Sequence, residues 1–387
     1  MAQDSDNFFQ EQKNWSRRKL AIVGGYLAGF SKILGSSTTQ SCVYFIDGFA
    51  GAGSYEDGSK GSPLLSVELA QQYRDEQKPY HLNCINIEGD DENFRNLVSV
   101  TAPFNSLAQN FFGSFSSNLD QILSRIGKCP ALFFIDPFGV KGTDWTDIVK
   151  IIHRQAPTDI WLRFDHKTVR RLSGFFESGA RGADSKIQNL LNLYGVSRTD
   201  NLYQMLQGET PEDRLNKALS LYAGKLEDEF RKARKSGYSA AFPVISLEGE
   251  TKYHLVFAAA HQKAAMLASQ TIYSAERNRA SETQEYLQRK SGQLFLFSPE
   301  PTEAEISSFI AEQLSSDMIR LCAGGQVSRQ EIFIKVIRDN NKKWFGRFSS
   351  SHFNQALALL EVGQNPTITK KSGPNSQDKT IFTFRFL

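Results

Sequence analysis

No apolar run in this 387-residue chain approaches the roughly 20 residues that a helix needs to cross a bilayer, so no membrane span is expected. The opening residues, Met-Ala-Gln-Asp-Ser-Asp, are polar and acidic and do not read as a secretion signal. There are only four cysteines, Cys42, Cys84, Cys129 and Cys322, and none has metal-type spacing. They are expected to be buried reduced thiols, with a cytoplasmic location as the corollary. A net charge of +3 is too small to establish a nucleic-acid partner, and any basic surface must be local. No internal repeat is present. The remaining composition, 40% hydrophobic and 22% charged, is that of a globular protein with room for one large and one small domain.

Patterning supplies the organisation. Residues 8–34 read as one helix or two, with Leu20, Val23, Tyr26, Leu27 and Phe30 at helical spacing and Gly35 as a stop. Strand-like runs follow at 42–47, 82–88, 108–112, 131–136 and 159–164, separated by helical runs at 63–75, 91–99, 117–126 and 144–154. Alternation of that kind predicts parallel βαβ units with right-handed crossovers. Residues 168–237 hold no convincing strand and read as a helical insertion whose charges form a solvated face. Two β-prone runs, 242–247 and 252–258, flank a turn at Gly249 and predict an antiparallel pair closing the sheet, followed by a long helix at 261–288. Ser298-Pro299-Glu300-Pro301 reads as a linker. Beyond it, three helices (302–321, 328–339, 349–361) and two strands (365–371, 379–386) give the order of a winged helix.

Four constellations can carry chemistry. The first is Asp47-Gly48-Phe49-Ala50-Gly51-Ala52-Gly53, where an apolar strand ends in an acid and a turn of small residues. Gly51 and Gly53 let backbone approach a ligand closely. The turn would wrap the amino-acid part of S-adenosylmethionine, with Asp47 receiving the ammonium; the bland alternative is a tight turn without a ligand. The second is Glu88, at the end of Ile85-Asn86-Ile87-Glu88, an acid placed to accept both hydroxyls of a ribose. That contact serves adenosylmethionine and NAD alike, and a surface acid beside Asp90 and Asp91 is the alternative.

The third constellation is Phe134-Ile135-Asp136-Pro137-Phe138-Gly139. Pro137 restrains its own backbone and that of Asp136. The Asp136 carboxylate and the Pro137 carbonyl can accept hydrogen bonds from an amine, and Phe138 can stack on a flat base. Alignment of this kind suits methyl transfer and leaves an NAD-dependent oxidoreductase with no use for the segment. A strand-ending turn with a buried Phe is the alternative. The fourth is Arg163-Phe164-Asp165-His166-Lys167 with Arg170 and Arg171, which could grip phosphates. His166 is either a general base or simply exposed. Lys342, Lys343 and Arg347, with Lys370 and Lys371 on the expected wing, are comparable candidates, although a winged helix also binds proteins.

Taken together, these motifs resemble the three-Cys-motif partner protein (TcmP) family, which is similar to class I adenosylmethionine-dependent methyltransferases. The resemblance rests on Tyr44 to Gly53, Tyr55-Glu56-Asp57-Gly58, Gly61-Ser62-Pro63-Leu64, Ile87-Glu88, Phe134 to Gly139 and Tyr253 to Ala258, and covers about residues 15–290. Asp-Pro-Phe-Gly is also similar to the catalytic strand end of tRNA guanine N2-methyltransferases. The resemblance implies that Asp47, Phe49, Gly51, Gly53, Glu88 and Ser114 serve the cofactor and that Asp136, Pro137 and Phe138 line the acceptor site. It implies a three-Cys-motif protein as a partner. Two departures stand out. Ala52 replaces a proline common among relatives, and Gly113-Ser114-Phe115 offers no carboxylate to the adenine amine, leaving Ser114 or backbone.

The expected molecule is α/β. An N-terminal helical segment (1–40) precedes a Rossmann-like class I methyltransferase domain (41–290, insertion about 168–237) and a winged-helix-like domain (300–387). The expected activity is adenosylmethionine-dependent methylation of a nitrogen on a base of RNA or DNA. The alternative is a non-catalytic methyltransferase-fold subunit that binds nucleotide or nucleic acid within a larger complex.

Overall fold

A computed structural model describes residues 13–36, 41–173, 183–208, 210–277, 279–291, 302–339, 344–362, 368–374, 377 and 379–384. The chain divides into two compact units, Met1–Ala264 and Ala265–Leu387. The division falls inside the helix Gln262–Glu276, and a second helix, Arg279–Ser291, follows where one long helix was expected. The anticipated linker at 298–301 lies outside the described residues.

The first unit is built on a seven-stranded sheet in the order β3-β2-β1-β4-β5-β7-β6. Its strands are β1 (Cys42–Asp47), β2 (His81–Glu88), β3 (Ala108–Phe112), β4 (Ala131–Ile135), β5 (Thr158–Phe164), β6 (Tyr238–Ile245) and β7 (Thr251–Ala259). β1 to β5 are mutually parallel, and β7 runs antiparallel to both β5 and β6. Every residue of β4 is buried, as expected of a central strand covered on both faces. This is a Rossmann-like sheet; the five parallel strand runs read from the sequence lie within one residue of the observed elements, and the closing hairpin within four.

Helices cover both faces. On one face lies α1 (Asn14–Gly35), a single helix over its described length; its Tyr26 ring meets Trp161 of β5 at 5.6 Å and Phe257 of β7 at 5.2 Å. α2 (Ser62–Asp75) and α3 (Asp91–Thr101) connect successive strands of the βαβ units. On the other face, Ile46, Phe133, Ile135 and Leu162 pack with Leu119 and Ile122 of α4 (Phe115–Ile126) and with Ile148 of α5 (Trp145–Ile152).

The insertion joins that second core. It opens with α6 (His166–Ser173) and continues through α7 (Ala183–Tyr194), α8 (Leu202–Met205) and α9 (Pro211–Lys232). Tyr222, Leu226 and Phe230 of α9 are fully buried, as expected of an amphipathic helix. Glu227 and Glu229 are buried too, accepting from the Ser239 N–H and pairing with His153 respectively, so not all of its charges form a solvated face.

One expectation fails outright. Cys42 and Cys129 are joined by a disulfide with a Cα–Cα distance of 5.9 Å. Cys42 opens β1 and Cys129 lies two residues before β4, and hydrogen bonding between those strands brings the two Cα atoms within bridging range. The bridge removes the ground on which a reducing compartment was expected. Cys84 and Cys322 are buried free thiols, as anticipated. Among the described residues no helix is long and apolar enough to cross a membrane.

The second unit contains, after the two helices already given, α12 (Glu303–Cys322), a short strand β8 (Gln326–Ser328), α13 (Arg329–Ile337), α14 (Ser350–Val362), β9 (Ile368–Ser372) and β10 (Ile381–Phe384). The three strands form an antiparallel sheet in the order β8-β10-β9. β8 was not anticipated from the sequence; at three residues it is too short for a period to register. Capping boxes at Thr302/Glu305 and Ser328/Glu331 fix the starts of α12 and α13.

Candidate active site

Register places the candidate residues on one face of the sheet. Asp47 pairs with Asn86 of β2 and Phe134 of β4, and Phe134 pairs with Trp161 of β5. Paired residues point the same way, and side chains alternate with a period of two. Glu88, Asp136 and Arg163 each lie two residues beyond those partners, at the carboxyl tips of β2, β4 and β5. All share the face of Asp47. Tyr253 joins the row from β7, because Phe257 pairs with Trp161 and Tyr253 lies four residues away.

The turn after β1 is held by backbone. Gly48 N–H donates to the Phe134 carbonyl, Ala50 N–H to the Ile87 carbonyl and Gly61 N–H to the Gly53 carbonyl, each at 2.9 Å. Gly53 has φ +81°, a region that favours glycine, and a Cβ there would lie 2.7 Å from Val100 Cγ2. A Cβ on Gly48 would meet the Phe115 ring at 2.9 Å. The Phe49 ring itself packs against Phe115, with centroids 6.0 Å apart.

Asp47 is fully buried. Its Oδ1 accepts the Phe49 N–H at 3.2 Å, and its Oδ2 has no partner at hydrogen-bond geometry among the described residues. Burial pushes the carboxyl up to about 7, against the downward pull of the Ser62 hydroxyl, the Phe49 amide and Lys19. A buried carboxylate with an open oxygen is an acceptor suited to an ammonium.

Glu88 ties the turn to β2. Its Oε2 accepts the Gly51 N–H and its Oε1 the Asp90 N–H, both at 2.7 Å. Each oxygen keeps lone-pair capacity for a hydroxyl. Asp90 supplies the cap of α3, accepting from Glu92 and Asn93, so Glu88 is not the cap. Ser114 caps α4, its hydroxyl accepting the Ser117 N–H at 3.1 Å and donating to Ser117 Oγ at 2.9 Å.

At the tip of β4, Asp136 forms an ion pair with Lys19 of α1. The Lys19 ammonium also lies 5.6 Å from the centroid of the Phe134 ring. Arg163 Nη1 stands 3.7 Å from Asp136 Oδ1, and its guanidinium is 4.6 Å from the Tyr253 ring and 5.8 Å from the Phe138 ring. Phe138 itself is 63% exposed, on the rim. Burial raises the Tyr55 and Tyr253 phenols, and the charge of Asp136 adds to both shifts. Both phenols are therefore neutral near pH 7.

The basic stretch is divided. Arg163 is mostly buried beside Asp136 and Tyr253, not exposed like Arg170 and Arg171. Lys167 forms an ion pair with Glu250. Arg170 and Arg171 are exposed on α6 and form no ion pair among the described residues. Burial lowers His166, whose ring packs edge-on to His254 at 5.1 Å. In the second unit Arg347 is exposed, while Lys342 and Lys343 lie outside the described residues. Lys19 was missed as a site residue. Its signal was present, since positions 19, 23, 26 and 30 share one helical stripe and the other three are apolar.

No protein-family model matches the chain, and no curated protein matches it. Solved structures do resemble it distantly. The O-methyltransferase TomG from Streptomyces achromogenes, in complex with S-adenosylmethionine, is 14% identical; the match covers 67% of this chain and 94% of that one at a TM-score of 0.32. An O-methyltransferase from Bacillus cereus, in complex with S-adenosylhomocysteine, is 13% identical over 62% and 80% of the two chains, at 0.30. Geranyl diphosphate methyltransferase with geranyl diphosphate and sinefungin is 12% identical over 60% and 77%, at 0.26. Likenesses this distant carry no information about what this chain binds or does.

Proposed function

We propose that the first unit is an S-adenosylmethionine-dependent methyltransferase acting on a nitrogen of a nucleic-acid base. The observation that carries the proposal is the row of Asp47, Glu88 and Asp136 on one sheet face around a glycine turn. The residues fit the cofactor. The open Oδ2 of Asp47 would take its ammonium, the Gly51–Gly53 turn its amino-acid part, and Glu88 its ribose hydroxyls. Phe49 and Ser114 would border it. S-Adenosylmethionine supplies an electrophilic methyl group on a sulfonium.

On the acceptor side, Asp136 Oδ1 and the Pro137 carbonyl would receive the N–H groups of the acceptor and orient its lone pair. Phe138, exposed on the rim, would stack on the base. Arg170 and Arg171 would hold flanking phosphates. In the second unit, the order helix–strand–helix–helix–strand–strand supports a winged helix, with Arg347 and the lysines before it as further contacts. Membership of the TcmP family and a three-Cys-motif partner belong to the same proposal.

Calorimetric titration with S-adenosylmethionine tests the cofactor, and radiolabelled methyl transfer to tRNA, rRNA and DNA tests the acceptor. Asp136→Ala should abolish transfer and leave cofactor binding in place. A second reading, a non-catalytic binding subunit, is favoured by one observation: Lys19 already occupies Asp136 Oδ2. Robust methyl incorporation into any nucleic acid excludes it.

A further inference from the structure

Arg163 stands at the carboxyl tip of β5, beside Asp136. Its guanidinium is flanked by two rings, Tyr253 at 4.6 Å and Phe138 at 5.8 Å, which fix its plane. Its Nε is buried and has no hydrogen-bond partner among the described residues. Its Nη1 is 3.7 Å from Asp136 Oδ1, which is an ion-pair contact but beyond hydrogen-bond length. The other oxygen of Asp136 is held by Lys19. Two cations thus share the Asp136 carboxylate. Asp47, whose charge acts on both Lys19 and Asp136, is itself only partly charged near pH 7, so this corner carries surplus positive charge whenever Asp47 is protonated.

Buried donors left unpaired and buried charges left unbalanced are both costly. A bound oxyanion would relieve both, and the planar fork of an arginine suits a carboxylate or phosphate. We propose that Arg163 and Lys19 form an oxyanion subsite beside Asp136, and that the methyl acceptor carries an anionic phosphate or carboxylate group next to the atom that is modified. The neutral phenols of Tyr55 and Tyr253 add no competing negative charge there. Naming this corner the acceptor side rests on the methyltransferase reading; the anion preference does not.

The test is calorimetric titration of the full chain, with S-adenosylhomocysteine saturating so that the cofactor pocket is filled. The probes are adenosine against adenosine 5′-monophosphate, and benzyl alcohol against benzoate. At least one anion should bind tenfold or more tightly than its neutral counterpart, and the pair that shows the gain identifies phosphate or carboxylate. Arg163→Met should erase the gain, and Arg163→Lys should keep part of it. Equal binding of charged and neutral probes to the wild-type protein overturns the proposal without any variant, as does failure of both anions to bind at 10 mM. A gain that survives Arg163→Met in cooperatively melting protein also overturns it. If S-adenosylhomocysteine binds while anion preference is absent, only the subsite is lost. If the anions are preferred and S-adenosylhomocysteine does not bind, only the methyltransferase reading is lost.

Discussion

Lys19 and Asp136, 117 residues apart in the chain, form an ion pair with side-chain exposures of 6% and 12%. The pair fastens the first helix to the tip of β4 and decides which carboxylate oxygen remains open. Pairs of this kind add little when present and cost a great deal when halved, because the survivor is a buried charge. Lys19→Met should therefore destabilise the protein by about 3 kcal/mol, softened by the nearby guanidinium of Arg163. Chemical denaturation measures this. The double variant Lys19→Met/Asp136→Asn should be less unstable than the sum of the two single ones, since Asp136→Asn alone strands both Lys19 and Arg163 and the double variant strands only Arg163. If the double variant is as unstable as the sum of the two single ones, the coupling is absent.

Asp47 predicts a pH-dependent affinity for the cofactor. Its carboxyl is raised from 3.8 to about 7 by burial, so near neutral pH it is shared between charged and neutral forms. Only the charged form attracts an ammonium. Affinity for S-adenosylhomocysteine should rise from pH 5.5 to 7.5, by up to tenfold per pH unit below 7, with release of a proton on binding. Titrations in buffers of different ionisation enthalpy would count that proton. The linkage to folding runs the other way. Between about pH 4 and 7 the folded chain holds a proton that the unfolded chain has lost, so this group's contribution to stability falls as pH rises. Asp47→Asn should flatten the affinity dependence and remove this group's share of the stability dependence, while Asp159, which burial also raises to about 7, keeps its own.

Gly53 tests the turn directly. A methyl at this position meets Val100 at 2.7 Å and Leu97 at 3.2 Å, and φ +81° is strained for any L side chain. Gly53→Ala should cost about 1–3 kcal/mol in folding. It should also weaken cofactor binding at least tenfold, because the turn must shift to clear α3. Unchanged affinity for S-adenosylhomocysteine would show that the turn does not touch the ligand.

The strand tips were legible in the sequence because each combines an apolar run with an abrupt stop. Val43 to Ile46 before Asp47, Ile85 to Ile87 before Glu88, and Leu132 to Ile135 before Asp136 all have that form. Period and turn chemistry are local, and local signals survive without coordinates. The ion pairs did not survive, since nothing in Arg163-Phe164-Asp165 says that the arginine turns inward between two rings. The disulfide was missed for a related reason. Cys42 and Cys129 become neighbours only once β4 inserts next to β1, a crossover that the spacing of 87 residues does not reveal. Lys19 lay between the two cases, since a charged residue on an apolar stripe was visible and was passed over.

That disulfide gives the last prediction. It sits at the amino-terminal ends of β1 and β4, the opposite edge of the sheet from Asp47 and Asp136. It closes a loop that contains β1, β2 and β3, so it restricts the unfolded chain more than it alters the folded site. On the chain-entropy account a closure of this length is worth on the order of 3–5 kcal/mol. Cys42→Ser/Cys129→Ser, or reduction with dithiothreitol, should lower the denaturation midpoint accordingly and leave S-adenosylhomocysteine affinity within about twofold. Thiol titration of the unfolded protein decides the first point, since four free thiols without reductant would mean that the bridge does not form. A drop in ligand affinity with the midpoint unchanged would mean that the two edges of the sheet communicate, contrary to the entropic account.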